Sequence, residues 1–224
     1  MLRRGKATKE VKIIIKDMQH TIFTAINSEE FKTRLTRIND NYSNLKQENH
    51  IRNLILEILN STYLEEGCRA FAEHPRELSR RVDLSIVQEN NDRPPYTIEL
   101  KFQYTNDYKQ FLDYDRFIEN DFERTFNSQK CDMFILIISH WDKKHKQAFE
   151  DRWGIHPKYT LSKYLSPNEN WKVNVATLFN KYKNQDVSLT EVSITVDKPY
   201  TTHYHFYVMT RNVGSRISTL LQAK

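Results

Sequence analysis

The chain has 224 residues, 38% hydrophobic and 12% aromatic, with only 4 Gly and 6 Pro. This excludes a low-complexity or largely unfolded chain and leaves room for one sizeable core without disulfides or structural metal. Lys and Arg number 34 against 29 Asp and Glu, a formal charge of +5, which permits a polyanionic partner without demanding one.

At the N-terminus, Ile13 to Ile15 is too short an apolar run for a signal-peptide core, and no stretch approaches membrane-spanning length. The two distant cysteines, Cys68 and Cys131, read as reduced thiols. The expectation is a cytoplasmic protein with no membrane partner. From Thr8 to Asn39, Val11, Ile14, Ile15, Met18, Ile22 and Ala25 recur at helical spacing, and Asn27 with Glu30 three residues on predicts a second helix cap. Residues 1–40 are therefore expected to form an N-terminal helical segment, and 41–224 the main domain.

A helix is predicted from Asn44, as N-cap with Gln47 in the capping-box position, to about Tyr63. Its stripe of Ile51, Leu54, Ile55, Ile58 and Leu59 marks the packed face. The segments 80–87 (RRVDLSIV) and 96–102 (YTIELKF) both alternate and read as an antiparallel hairpin with a long polar loop. Residues 106–126 follow as a helix with Phe111, Leu112, Ile118 and Phe122 on its apolar side. The run CDMFILIIS from Cys131 is uniformly apolar and reads as a buried central strand. A polar helix near 142–151, a mixed stretch from Trp153 to Tyr182, a hairpin about residues 197–202 and a short C-terminal helix at 214–224 complete the expectation. The fold class is α/β: a mixed sheet flanked by helices, with the N-terminal helical extension and the C-terminal β-hairpin.

Residues two apart on a strand share a face, so Glu99, Lys101 and Gln103 point one way and Ile98, Leu100 and Phe102 the other. A register that keeps both apolar sets together places Asp83 nearly opposite Glu99. Two such carboxylates resist burial unless a cation lies between them, and Mg²⁺, with Mn²⁺ able to substitute, is the natural guest for hard oxygen ligands. Lys101 can then stabilise developing charge or position an attacking water. At about 100° per residue Glu48 lies about 50° from the centre of its helix stripe, so it can lean inward, whereas Glu57 faces water.

The spacing Asp83, fifteen residues, Glu99-Leu100-Lys101, preceded by a helix with an inward glutamate and followed by a helix and a buried strand, resembles the PD-(D/E)XK nuclease superfamily and its restriction-endonuclease-like fold over residues 44–139. Val82 stands where the proline of that name would be. The resemblance implies that Asp83 and Glu99 bind metal, that Leu100 lends its backbone carbonyl, that Lys101 serves the nucleophilic water, and that Glu48 supports a ligand or second ion. Gln110 and Tyr114 are similar to the QxxxY element of RecB-type nucleases.

The function so implied is a divalent-metal-dependent nuclease, a DNA endonuclease of restriction or defence type, with DNA as partner and a homodimer expected for duplex cutting. A non-catalytic nucleic-acid-binding or assembly subunit is the alternative. Arg80, Arg81, Gln103, Lys109, Gln110 and Tyr114 are candidate substrate contacts; Arg76 and Arg116 also flank the site, and only clustering in space can separate them from solvated charges. His203 and His205 read as surface histidines of a hairpin.

Overall fold

Two long strands set the middle of the molecule. In the computed structural model, β5 (Tyr96–Tyr104) and β8 (Met133–Trp141) run parallel, with Ile98 beside Met133 and Tyr104 beside Ser139. A parallel pair needs a crossover connection, and helical residues 118–121 lie in it. The structure describes residues 18–77, 80–89, 94–104, 115, 118–123, 125–126, 129–141, 143–154, 170–183 and 186–212.

The other sheet strands are antiparallel to their neighbours. β1 (Cys68–Ala72) pairs with β4 (Leu84–Gln88), and β4 with β5; on the far side β10 (Thr202–Arg211) joins β8, and β9 (Val187–Val196) forms the edge. The order is β1-β4-β5-β8-β10-β9, a mixed six-stranded sheet. Two short hairpins, β2 (Arg76–Glu77) with β3 (Arg80–Arg81) and β6 (Thr125–Phe126) with β7 (Gln129–Lys130), stand apart from it.

Strand alternation divides the core between the two faces. Leu100, Phe102, Ile135, Ile137, Phe206 and Val208 join helical residues 18–26, α1 (Glu29–Tyr42) and α2 (Glu48–Ile58) on one side. Ile22, Ala25, Ile26, Phe31 and Leu35 belong to this same cluster. Phe134, Leu136, Ile138, Tyr207 and Met209 meet Ile118, Phe122 and the apolar side of α4 (Asn170–Tyr182) on the other. α3 (Lys143–Trp153) sets Phe149 against Trp141. Side chains of this size contribute roughly 1.5–3 kcal/mol each when fully buried, so both faces are covered at substantial gain and β8 is apolar from Met133 to Ile138.

Several elements depart from the sequence expectation. Ser28, not Asn27, caps α1: its extended backbone lets Oγ accept the Phe31 N–H at 3.1 Å, while the Asn27 amide donates to the Phe23 carbonyl at 2.8 Å. α2 begins at Glu48 rather than after Asn44, because the buried Gln47 side chain is engaged by the Tyr42 carbonyl and the Tyr204 hydroxyl. It ends in a π-helical turn, Leu59–Tyr63. β1 had no sequence counterpart. Residues 80–81 pair with β2 rather than extending β4. The predicted helix over 106–126 falls largely outside the described residues, where 118–121 are helical and Thr125–Phe126 is strand; the C-terminal helix at 214–224 lies outside them altogether.

Candidate active site

β4 is shorter than β5, and their pairing stops at Leu84 with Ile98. Backbone N–H groups beyond that point on the same edge of β5 must find other acceptors. Asp83 Oδ2 accepts the Leu100 N–H at 2.8 Å, and Glu48 Oε2 accepts the Phe102 N–H at 2.7 Å. The two carboxylates thus take over the ladder where β4 ends. A strand residue directs its N–H and C=O to the same edge, so the Leu100 carbonyl faces the side occupied by Asp83.

Each of these side chains has a local reason for its place. Asp83 immediately precedes β4, and one further step of the Leu84–Ile98 register sets it opposite Glu99. Glu48 is the first residue of α2, whose buried Ile51, Leu54, Ile55 and Ile58 fix which way that first turn faces. Glu99 and Lys101 share the face of β5 opposite Leu100 and Phe102. Lys101 Nζ lies 3.3 Å from Oδ2 of Asp121, the last of the helical residues 118–121 in the crossover. Gln103 is buried, and its Oε1 accepts from Lys46 Nζ at 3.5 Å.

The electrostatics follow from crowding. Glu99 is only 4% exposed. Burial, then the charge of Asp83 and a hydrogen bond shared with its carboxyl, push Glu99 up to about 9 against the opposing pull of Lys101. Burial also raises Glu48, and Asp83 adds to this, while Lys101 and the Phe102 N–H oppose it. Burial acts to lower Lys101, but Asp83, Asp121, Glu48 and Glu99 together outweigh it and hold the ammonium above its ordinary value. The site therefore contains two apposed acids, one of which keeps a proton at neutral pH, beside a firmly charged lysine.

A model of the PD-(D/E)XK nuclease superfamily matches residues 2–185. The chain belongs to the PD-(D/E)XK nuclease superfamily. No curated protein and no solved structure gives a significant match. Membership of the PD-(D/E)XK superfamily carries a nuclease-type function, nucleic acid as the substrate class and a divalent metal as the usual cofactor.

The donor set suits such an ion. Asp83, Glu99 and the Leu100 carbonyl offer hard oxygens, and the proton forced onto Glu99 marks a place where a cation would relieve two confronted carboxylates. Among the described residues no three His, Cys, Asp or Glu side chains form a ready metal cage. Mg²⁺ needs none, since one or two carboxylates with water and substrate oxygens are its usual shell.

Of the sequence candidates, Asp83, Glu99, Leu100, Lys101 and Glu48 come together on one stretch of β5, with Gln103 further along it. Arg81 lies two residues before Asp83 in sequence but turns to Glu73. Lys109, Gln110, Tyr114 and the side chain of Arg80 fall outside the described residues. Asp121 was missed. It lies three residues from Ile118 and next to Phe122, so the periodicity used to place Glu48 could have marked it. The structure also sets His140 against His203 and His205, with ring centroids 4.9 and 5.6 Å away, while Thr195 and Ser193 hydroxyls hold the latter two rings at 3.0 Å.

Proposed function

We propose that this PD-(D/E)XK protein is a Mg²⁺-dependent DNA endonuclease of restriction or host-defence type, with Mn²⁺ as a working substitute. The observation that carries this reading is the apposition of Asp83 and Glu99 at the open edge of β5 with Lys101 alongside. Asp83, Glu99 and the Leu100 carbonyl would hold the ion, and Glu48 would support a ligand or a second ion. The bound ion would supply an activated water and neutralise charge on the scissile phosphate.

The carboxylates of Asp83, Asp121, Glu48 and Glu99 hold the Lys101 ammonium above its ordinary value in the metal-free protein, which favours a donor role over that of a base. The ammonium donates, orienting the attacking water and stabilising the extra charge on the phosphate oxygens as the P–O3′ bond breaks. Asp121 fixes the direction of that ammonium through its contact at 3.3 Å. A water oxygen replaces the 3′ oxygen on phosphorus, leaving a 5′-phosphate and a 3′-hydroxyl. Cutting both strands with one site per chain calls for two copies, so a homodimer is part of the proposal.

The test is supercoiled-plasmid cleavage with calorimetric Mg²⁺ titration, on wild type and on an Asp83→Ala, Glu99→Ala variant. Loss of both metal binding and nicking in the variant is expected. Undiminished cleavage by the variant overturns the assignment.

A further inference from the structure

Next to the proposed site lies a group of charges that its chemistry does not use. The Glu73 carboxylate accepts from three arginines: Arg52 Nη1 at 3.4 Å, Arg76 Nη2 at 2.8 Å and Arg81 Nη1 at 3.2 Å. These come from α2, β2 and β3. Arg76 and Arg81 are direct cross-strand partners, and like charges directly opposite one another are destabilising. One carboxylate leaves this trio with two surplus positive charges.

The arrangement is graded from inside outward. The Arg52 side chain is 11% exposed, Glu73 26%, Arg81 59% and Arg76 65%. Arg52 thus anchors the carboxylate from the protein side, and Glu73 in turn tethers two outward guanidiniums. Arg76 is held twice, since its Nε–H also donates to the Glu73 carbonyl at 3.0 Å. Glu73 itself adopts φ +53°, a region that side-chain-bearing residues seldom occupy. Ion pairs made by exposed side chains such as Arg76 and Arg81 contribute little to stability, so stability alone gives no reason to add these two guanidiniums to the buried Arg52.

Position supplies a reason. The Glu73 N–H donates to the Asp83 carbonyl at 2.9 Å, so the cluster is one hydrogen bond from a proposed metal ligand. Arg52 follows Glu48 by one turn of α2, which ties the same cluster to the other end of the site. A guanidinium fork matches the paired oxygens of a phosphodiester.

We propose that Arg76 and Arg81, tethered by Glu73 and backed by Arg52, grip the phosphodiester backbone of the nucleic-acid substrate beside Asp83, phosphate oxygens taking the N–H groups that Glu73 holds in the free protein. This rests on the nuclease reading of the adjoining site. Glu73 is a positioning residue: it keeps two repelling guanidiniums side by side until a phosphate replaces it.

The test is fluorescence anisotropy of a labelled DNA duplex across a KCl series, with Ca²⁺ in place of Mg²⁺, and plasmid cleavage in Mg²⁺ run in parallel. Each lost phosphate contact reduces the magnitude of the negative slope of log K against log salt by about 0.9. An Arg76→Ala, Arg81→Ala variant is therefore expected to lose about 1.8 from that slope and to bind more weakly at every salt concentration. Lysines at both positions keep most of the slope. Glu73→Gln tightens binding.

Wild-type affinity and slope in a double-alanine variant that melts like wild type overturn the inference, even if cleavage by wild type upholds the nuclease. Should the double variant misfold, the exposed single change Arg81→Gln carries the test: it is expected to lose about 0.9 of slope, and an unchanged slope overturns the inference. Weakened binding in the variants of a wild type that never cleaves upholds the arginine grip and removes the catalytic reading. A wild type that binds no nucleic acid overturns both.

Discussion

Glu48 and Phe102 stand 54 positions apart, yet the Glu48 carboxylate accepts the Phe102 N–H at 2.7 Å. The side chain proposed to support the metal is therefore also part of the framework of β5. Glu48→Ala leaves a buried N–H without its acceptor and is expected to lower unfolding stability by roughly 1–3 kcal/mol. Glu48→Gln retains an acceptor oxygen and should unfold near wild type. Urea denaturation of both, with cleavage rates alongside, separates the two roles: a Gln variant that is stable but slow shows that the charge matters to the chemistry.

Lys101 and Asp121 form the second pair to test. Lys101→Ala is expected to lower the cleavage rate by about 10²–10³-fold, the usual loss when one preorganised donor is removed from developing charge, with Mg²⁺ affinity retained. Asp121→Asn should give a smaller loss, because the ammonium remains and only its direction is relaxed. Single-turnover kinetics check both; a Lys101→Ala enzyme as fast as wild type would remove this residue from the mechanism.

Glu99 predicts a pH effect on the metal-free protein. Its folded value is raised from 4.5 to about 9, so between those limits the folded chain binds a proton that the unfolded chain releases. Its contribution to stability is therefore full below pH 4.5 and is lost as pH rises through about 9. Without metal, Glu99→Gln should melt above wild type at pH 8, the difference shrinking toward pH 5, and Mg²⁺ should raise the melting temperature of wild type more than that of the variant. Thermal melts at the two pH values, with EDTA or Mg²⁺, measure this; identical melting of both proteins at pH 8 would contradict it.

Arg211 predicts a long-range effect. Its guanidinium donates to the Glu123 carboxylate at 2.8 Å, to the Phe122 carbonyl at 2.9 Å and to the Cys131 carbonyl at 3.0 Å, and lies 4.2 Å over the Phe122 ring. It clips the segment bearing Asp121 to the end of β10. Arg211→Ala should cost about 2 kcal/mol, in the range for hydrogen bonds to charged groups, and should slow cleavage through Asp121 without altering Mg²⁺ affinity. Burial works to raise Glu123, but hydrogen bonds from Lys130 and Arg211 outweigh it and hold its folded value below 4.5. That stabilisation is present above pH 4.5 and is lost as pH falls through the lowered folded value. The penalty of Arg211→Ala, read from urea unfolding, should accordingly shrink in acid.

Much of the fold was legible because its signals are local. Alternation over Tyr96–Tyr104 fixes which residues share a face, and the short unbroken apolar run over Met133–Ile138 reads as a strand buried on both sides, which it is. The approach of Asp83 to Glu99 followed from the same alternation, since a one-residue slip would have exposed every apolar side chain of the hairpin. β1 was not legible. Its sequence Cys-Arg-Ala-Phe-Ala buries only Ala70, and it becomes a strand because β4 offers an edge and Asn60 holds both the N–H and the carbonyl of Ala70, at 2.8 and 3.0 Å.

By itself, then, the sequence determined the period of each element and the face on which Glu99 and Lys101 stand, because these depend on neighbours within a few residues, and it carried the spacing that marks the superfamily. Only the tertiary structure decided where β4 stops along β5, and with it why Asp83 and Glu48 cap the Leu100 and Phe102 N–H groups. It also brought Asp121 to Lys101 and three arginines to Glu73. Apart from Arg76, three residues from Glu73, those partners come from separate elements, and the pairing of buried polar groups and charges is set by which surfaces pack together, information that no local periodicity carries.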